Sequence, residues 1–512
     1  MSEPRMPGDA PLMLSVSGCR GIFGKSMTPE VAARFAGVFG SYLRHHPAAD
    51  AGHAPGPKPL VVVARDGRAG GECLLDAASA GLQAAGCNVL SIGVAMTPTV
   101  GVMVDARRAA AGLIITASHN PQEWNGIKPV IRAAAPDSSR PDASAPGTDL
   151  ADQIIARFRL ASDPGADPSE PLWVGPTLVG AAAHAAGSSG DKPLGIPSES
   201  TNTHLFVLRE ALKHIGAHDD RASMAVSCVL DSVNASGVEA GAAFLGARLK
   251  HHIGSGTSGL FPHPPEPTRH NLTDIARLTR EKHAHVGFAQ DPDADRLAII
   301  DERGEYIGEE YTLVLAAQSL LSALHDHSPD STRGQVLCVN LSTSRMIEDV
   351  AARYGARVVR TPVGEANVVS AMKQHGSIIG GEGNGGVIWP RVTYNRDSLS
   401  AMGLVISLMA RSGKPISQLV ADIPAYSIVK RGVELRRKDD ATRAVETLAR
   451  TYTGAPDVHV DRQDGVWVGF HARHAWLHVR ASNTEPIMRL IAEAPTAAAA
   501  NDILDDAARA IP

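Results

Sequence analysis

One local plan, repeated along the chain, constrains its fold more than any other feature. A short apolar, β-branched run stops abruptly at a polar or glycine-rich turn. It occurs at Leu60-Val-Val-Val-Ala-Arg-Asp-Gly-Arg68, Gly112-Leu-Ile-Ile-Thr-Ala-Ser-His-Asn-Pro121, Ala225-Val-Ser-Cys-Val-Leu-Asp-Ser-Val-Asn234 and Val336-Leu-Cys-Val-Asn-Leu-Ser-Thr-Ser344. After the first, third and fourth a helical pattern follows. Strands and helices alternating at this length form parallel βαβ units, so the fold class is α/β. At 512 residues the chain exceeds one ordinary core, and three or four domains are expected at about 100–200 residues each.

The run ending at Ser118-His119-Asn120-Pro121 reads as a buried strand that delivers a hydroxyl to a turn, because proline cannot continue a ladder and asparagine favours turns. Ser118 is therefore expected to be presented, not packed. A lone serine is a poor nucleophile and needs a base, a metal or a reactive partner; taken singly, Ser-His-Asn is an ordinary loop cap.

Asp291, Asp293 and Asp295 alternate in Gln290-Asp-Pro-Asp-Ala-Asp-Arg296, between two apolar runs. Alternate side chains of an extended backbone point to one side, and three converging carboxylates suit Mg²⁺, which keeps positions for phosphate oxygens and water. A calcium loop of the EF-hand type is excluded, since Arg296 occupies the place where its turn needs glycine. Gly381-Glu-Gly-Asn-Gly-Gly386 fits a dinucleotide fingerprint in spelling only. Val387-Ile-Trp389 reads as strand where that motif needs a helix.

Further turns carry chemistry. Cys19-Arg20-Gly21 follows an apolar start at Leu12, and Thr28-Pro29-Glu30 is an N-cap with proline at the first helical position; strand, glycine-rich turn with Arg20, and helix make an anion-binding arrangement. Arg65-Asp66-Gly67-Arg68 reads as a structural ion pair or, alternatively, a substrate contact. Arg480-Ala-Ser-Asn-Thr-Glu-Pro486 puts an arginine before hydroxyl and amide donors, a phosphate cradle in type. Glu382 and Asn384 lie on a glycine-rich backbone suited to gripping sugar hydroxyls or an amine. The stretch from Ala133 to Gly195 is rich in Pro, Gly, Ala and Ser and reads as loops and linker around one helix, Asp149 to Leu160.

Together these stretches resemble the α-D-phosphohexomutases: the phosphoserine loop at Thr116 to Pro121 with Asn125-Gly-Ile-Lys128, the metal loop Asp-x-Asp-x-Asp-Arg, the sugar loop at Gly381 to Gly386 and the phosphate loop at Arg480 to Pro486. The Gly-Glu-Gly-Asn-Gly-Gly and Ser-Asn-Thr-Glu-Pro spellings are similar to phosphoglucosamine mutase-like members. The resemblance covers about Leu12 to Ala494. It implies three successive α/β mixed-sheet domains and a smaller C-terminal α+β domain around one central cleft, at 12–197, 198–304, 305–424 and 425–512.

The same resemblance implies that Ser118 carries the exchanged phosphoryl group and joins Asp291, Asp293 and Asp295 on Mg²⁺, and that Lys128 and Arg20 serve proton transfer and charge stabilisation, with His119 counted beside them. Arg296, Thr361, Gly364, Glu382, Asn384, Arg480, Ser482, Asn483, Thr484 and Arg489 would bind substrate. Asn384 and Gly386 replace the family's common serine and histidine, and Glu365 stands where some members have another histidine, which leaves the general acid and base open. The implied reaction interconverts glucosamine 6-phosphate and glucosamine 1-phosphate through a 1,6-bisphosphate that also acts as activator. Neutral hexose phosphates are the alternative substrates, and a sugar-phosphate phosphatase or a non-catalytic sensor the alternative classes.

Net charge of −5 gives no reason to expect nucleic acid or membrane as partner. Five scattered cysteines read as free thiols of a reducing compartment, and the polar start from Met1 to Pro11 does not read as a secretory signal. A cytoplasmic enzyme, monomeric or homodimeric, that handles a small sugar phosphate is expected.

Overall fold

The apolar runs become strands buried on both faces, and their residues sort by parity. Val61, Val63, Leu113 and Ile115 pack with Phe35, Phe39, Leu74 and Leu82 on one side. Val62, Ala64 and Ile114 pack with Val100, Met103 and Val104 on the other. A strand covered by helices on both faces must be apolar throughout, which is why these runs do not alternate. The structure, a computed structural model, describes residues 12–46, 58–132, 141–162, 197–217, 224–435, 438–481 and 487–509. It divides into two compact units, Met1–Thr312 with Gly386–Ser417, and Leu313–Gly385 with Gln418–Pro512.

In the first unit, β1 (Met13–Ser15), β2 (Gly18–Ile22), β3 (Leu60–Arg65), β4 (Asn88–Val94), β5 (Ala111–Ile115), β6 (Trp124–Arg132) and β7 (Ala143–Ser144) form a mixed sheet of order β1-β2-β6-β5-β3-β4, with β7 on β6. Helices α1 (Pro29–His45) and α2 (Gly71–Ala84) cover one face and α3 (Thr97–Ala106) the other. Thr28 caps α1 by accepting from the Val31 amide at 3.3 Å, as its sequence predicts. The helix expected over Asp149 to Leu160 forms as α4 (Thr148–Ala161); most of the low-complexity stretch around it lies outside the described residues.

The second sheet of this unit has β8 (Cys228–Asp231), β9 (Leu249–Ile253), β10 (Val286–Gln290) and β11 (Leu297–Ile300) in the order β11-β10-β8-β9. β8 runs parallel to β9 and β10, whereas β10 and β11 are antiparallel neighbours. Residues 291–296 turn tightly at one end of the sheet, with a left-handed Ala294 at φ +52°. The extended backbone expected through Asp291, Asp293 and Asp295 is thereby corrected: a turn between antiparallel strands, not strand alternation, brings the carboxylates together.

In the second unit β12 (Val336–Asn340) lies between parallel neighbours β13 (Arg357–Thr361) and β14 (Ile379–Glu382). The chain then leaves this unit through a short strand, β15 (Gly386–Ile388), not a helix, as the rejection of a dinucleotide site requires. The C-terminal sheet, β16 (Ser427–Glu434), β17 (Val458–Asp461), β18 (Val466–Phe470), β19 (Ala475–Ala481) and β20 (Ile487–Ala494), is antiparallel throughout in the order β16-β20-β19-β18-β17. Helices Lys438–Tyr452 and Ala497–Arg509 cover the face that carries Val466, Leu477, Val479, Leu490 and Ala492. None of the five cysteines is bonded to another, and among the described residues no helix is long and apolar enough to cross a membrane.

Candidate active site

Ser118 follows β5 in a left-handed conformation, φ +51°. A non-glycine residue held there costs on the order of 1–3 kcal/mol and persists only where its surroundings over-determine it. They do so here. Thr116 Oγ1 accepts from the Ser118 amide at 2.8 Å and donates to Asp66 Oδ2 at 2.7 Å. Arg68, fully buried, pairs with Asp66 at 2.9 Å, donates to the Ser118 carbonyl, and holds the Trp124 carbonyl at 2.6 Å. The Asp66–Arg68 pair is thus the scaffold of the serine loop. Ser118 itself is 2% exposed, so the expectation of a serine presented and not packed is corrected: its hydroxyl donates to Asp291 Oδ2 at 3.1 Å, inside a buried carboxylate cluster.

Asp291, Asp293 and Asp295 are all 0% exposed, with one ligand atom from each within 4.8 Å of the others. Burial and the two neighbouring carboxylates push Asp291 well above the ordinary range. Burial also opposes ionisation of Asp295, but Arg396, Lys128 and Arg296 more than reverse it and hold Asp295 well below that range. Lys128, on β6, lies 2.9 Å from Asp295 Oδ2 and 3.8 Å from Asp293 Oδ2. Arg296 closes the turn by donating its amide to Asp291 Oδ1 at 3.1 Å.

Arg20 corrects a second expectation. It lies within β2, not in a glycine-rich turn, and stands opposite Gly126 of β6. A Cβ on Gly126 would lie 2.4 Å from the Cys19 carbonyl oxygen and 2.9 Å from Arg20 Cγ, so the strands pair here only because that residue is glycine. Arg20 Nη1 donates to Asn120 Oδ1 at 3.2 Å; burial lowers its pKa, against the pull of Asp293 and Asp295. Burial, then Arg296 and Arg20, lower His119 to about 3, which leaves a neutral imidazole.

These residues fit a divalent cation. Oδ1 of Asp293 and Oδ1 of Asp295 are buried and take no hydrogen bond from the described residues, a costly state for a carboxylate oxygen unless an ion completes it. Three hard oxygen donors match the preference of Mg²⁺.

The remaining sequence-predicted residues fall in the second unit. Thr361 ends β13, 4% exposed, and Gly364 takes φ +125° before helix Glu365–His375. Glu382 ends β14; its Oε1 accepts from Asn340 Nδ2 at 2.9 Å, and Asn384 Nδ2 lies 3.5 Å from its Oε2. Arg480 and Arg489 stand directly opposite each other in β19 and β20. Ser482, Asn483 and Thr484 lie outside the described residues.

Family patterns for phosphoglucomutase/phosphomannomutase match four successive segments: alpha/beta/alpha domain I at residues 13–142, domain II at 210–304, domain III at 309–426 and the C-terminal domain at 433–510. A phosphoglucomutase/phosphomannomutase of Thermococcus kodakarensis is 31% identical over 507 residues, 95% of this chain and 96% of that one. The chain belongs to the α-D-phosphohexomutase family. A protein named probable phosphoglucosamine mutase from Methanopyrus kandleri is 31% identical over 503 residues, covering 96% and 95%. The crystal structure of a phosphoglucomutase/phosphomannomutase family protein from Burkholderia thailandensis shares the fold at TM-score 0.74 and 24% identity, over 97% of each chain.

The phosphohexomutase site also contains residues that sequence reasoning missed. Thr97 Oγ1 donates to Asp293 Oδ2 at 2.8 Å and its amide to the Asp293 carbonyl at 3.0 Å, from the first residue of α3, whose cap position belongs to Met96. Arg396 Nη2 donates to Asp295 Oδ2 at 2.5 Å. The next residue, Asp397, caps helix Ser398–Ser412 through the Leu399 and Ser400 amides and meets His204 Nε2 at 3.2 Å, whose Nδ1 meets Thr99 Oγ1 at 2.9 Å. Asp397 before Ser-Leu-Ser is a legible N-cap; the reach of its neighbour Arg396 to Asp295 is not.

Proposed function

We propose that this phosphohexomutase interconverts glucosamine 6-phosphate and glucosamine 1-phosphate through phospho-Ser118 and a 1,6-bisphosphate intermediate. The observation that carries the mechanism is the Ser118 hydroxyl bonded to Asp291 within a carboxylate cluster faced by Lys128, Arg296 and Arg396. Phosphoryl transfer asks mainly for positioning and charge neutralisation, and this arrangement supplies both.

In this reading the Ser118 Oγ–P bond breaks as the free sugar hydroxyl forms its own bond to phosphorus. The hydroxyl proton leaves to a neighbouring base, the proton-transfer role that the family resemblance gives to Lys128 and Arg20; a His119 held at about 3 is too weak a base for it. The bisphosphate turns over, its other phosphoryl returns to Ser118, and the proton goes back to the departing sugar oxygen. Lys128, Arg20, Arg296 and Arg396 offset the charge of the moving group. Asp291, Asp293, Asp295 and Ser118 would hold Mg²⁺, which supplies Lewis-acid polarisation of the phosphoryl oxygens. Glu382 and Asn384 grip the sugar, with Thr361 and Gly364 on the adjoining loop. Arg480, Arg489, Ser482, Asn483 and Thr484 hold the phosphate that is not reacting. A trace of hexose 1,6-bisphosphate keeps Ser118 phosphorylated. The domain boundaries that go with this reading are 12–197, 198–304, 305–424 and 425–512.

The amino-sugar substrate is supported by the naming of relatives such as the Methanopyrus protein and by the Gly-Glu-Gly-Asn-Gly-Gly spelling. A second reading, a mutase of neutral hexose phosphates, is favoured by the Thermococcus relative. Phosphorus NMR with Mg²⁺ and a trace of bisphosphate, offering glucosamine 6-phosphate, glucose 1-phosphate and mannose 1-phosphate separately, decides between them. Preferred isomerisation of the amino sugar is expected. Turnover of neutral sugars alone would move the substrate assignment, and free phosphate in place of isomer would overturn the mutase.

A further inference from the structure

The second unit contains a carboxylate to which the mechanism above gives no part. Asp464 lies in the turn between β17 and β18, and its Oδ2 accepts from Arg480 Nη1 and from the Val363 amide, both at 3.1 Å. Its carbonyl meets His478 Nε2 at 2.8 Å, while His478 Nδ1 lies 2.9 Å from Ser342 Oγ. A carbonyl only accepts, so Nε2 carries a proton; burial, which lowers the ring's pKa, favours the neutral form in which Nδ1 accepts from the serine. The Ser342 amide then donates to Asn340 Oδ1 at 3.0 Å, and Asn340 Nδ2 to Glu382 Oε1 at 2.9 Å.

A continuous path therefore runs from the sugar-loop glutamate to the Arg480 guanidinium. Asp464 forms its last link and a branch to the 361–364 loop. Gly465 presses the turn onto β19: at φ +68°, a Cβ there would lie 2.2 Å from the Val479 carbonyl oxygen.

Two features of this end of the sheet suit an anionic ligand. Arg480 and Arg489 stand opposite each other across the strand pair, so two positive charges share one face. With Nη1 committed to Asp464, Nε and Nη2 of Arg480 bond to none of the described residues, leaving the forked edge that suits phosphate.

We propose, resting on the reading of Arg480 as the phosphate arginine, that Asp464 is a positioning residue for sugar-phosphate recognition. It orients the guanidinium before the ligand arrives and keeps it in register with Glu382 and the 361–364 loop, so that phosphate and sugar are gripped at a fixed separation. A plain electrostatic view predicts the opposite, because removing an anion beside a phosphate site should tighten binding.

The test compares Asp464→Ala, Asp464→Asn, Arg480→Ala and the Asp464→Ala/Arg480→Ala double variant in the full chain, by steady-state turnover of glucosamine 6-phosphate and of glucose 1-phosphate. For whichever sugar turns over, Asp464→Ala should raise KM about ten-fold with kcat within about three-fold, since it loosens binding and leaves the chemistry alone. Asp464→Asn, which keeps an acceptor and the turn, should fall between, and the double variant should be no worse than Arg480→Ala. If the alanine variant does not fold, the asparagine variant decides on the same readout. An unchanged or lowered KM for the Asp464 variants, with Arg480→Ala still impaired, overturns the proposal alone. An unimpaired Arg480→Ala overturns the reading beneath it as well.

Discussion

Ser118 and its carboxylates in the first unit, and the Glu382-to-Arg480 path in the second, solve different problems with different electrostatics. Around Ser118, three fully buried aspartates meet Lys128 and Arg396 at salt-bridge distance. In that low-dielectric setting each pairing is strong and each orphan costly. In the second unit the links are mostly neutral hydrogen bonds, ending in an Arg480–Asp464 pair whose side chains are 21% and 23% exposed. Partial exposure screens such a pair, worth about 1 kcal/mol or less by itself, so it can orient an arginine without locking it. On the proposed reading, the chemical step is fixed by charge in a closed place, whereas recognition is left where a ligand can compete.

Perturbing the two regions should break or sharpen that contrast. The largest effect is expected from Ser118→Ala, which should lower turnover by roughly three orders of magnitude or more, because the nucleophile is lost. Full retained activity would end the mechanism. Ser118→Gly should be equally inactive while relaxing the left-handed backbone, so its thermal midpoint should not fall below that of the parent.

Arg68→Ala comes next. It strands the buried Asp66 and should cost about 3–5 kcal/mol in urea unfolding, whereas Arg480→Ala, taken from a screened pair, should cost about 1 kcal/mol or less. Equal losses would erase the distinction drawn between the regions.

Added Mg²⁺ should raise the thermal midpoint of the parent, by up to about 2.7 kcal/mol of stabilisation at a hundred times its dissociation constant. Asp293→Asn should abolish that rise, and chelation should reverse it. A persistent rise in the variant would place the ion elsewhere.

The smallest effect is in pH, and its sign differs between the units. In the first, burial raises Asp105 to about 6; the folded state prefers the protonated form, so this contribution is full below the ordinary carboxylate value and is lost as pH rises through about 6. In the second, burial lowers His478 below its ordinary value; the folded state prefers the neutral ring, so stability is lost as pH falls below about 6.5. Unfolding midpoints across pH 5 to 8 should therefore lose their alkaline decline in Asp105→Asn and their acidic decline in His478→Gln. An unchanged acidic decline in His478→Gln would remove that ring from the account.

What the sequence determined by itself is what depends on near neighbours along the chain. β-Branching and continuous apolar character in Leu60–Arg65 and Ala111–Ile115 specify buried strands; Thr28-Pro29 specifies a helix start; Asp-x-Asp-x-Asp marks a cluster of carboxylates, though a tight turn and not extended alternation gathers them; and Ser118 is recognisable from the turn that ends its strand. Tertiary structure alone decided which turns meet. Thr97 and Asp293 are 196 residues apart, Arg396 and Asp295 101, and nothing in their local patterns links them. Likewise a glycine at position 126, not a turn, places Arg20, and Asp464 gains a role only because Gly465 lets its hairpin lie against β19. Local periodicity decides which residues leave the core; strand order and the close approach of backbones decide which of them find each other.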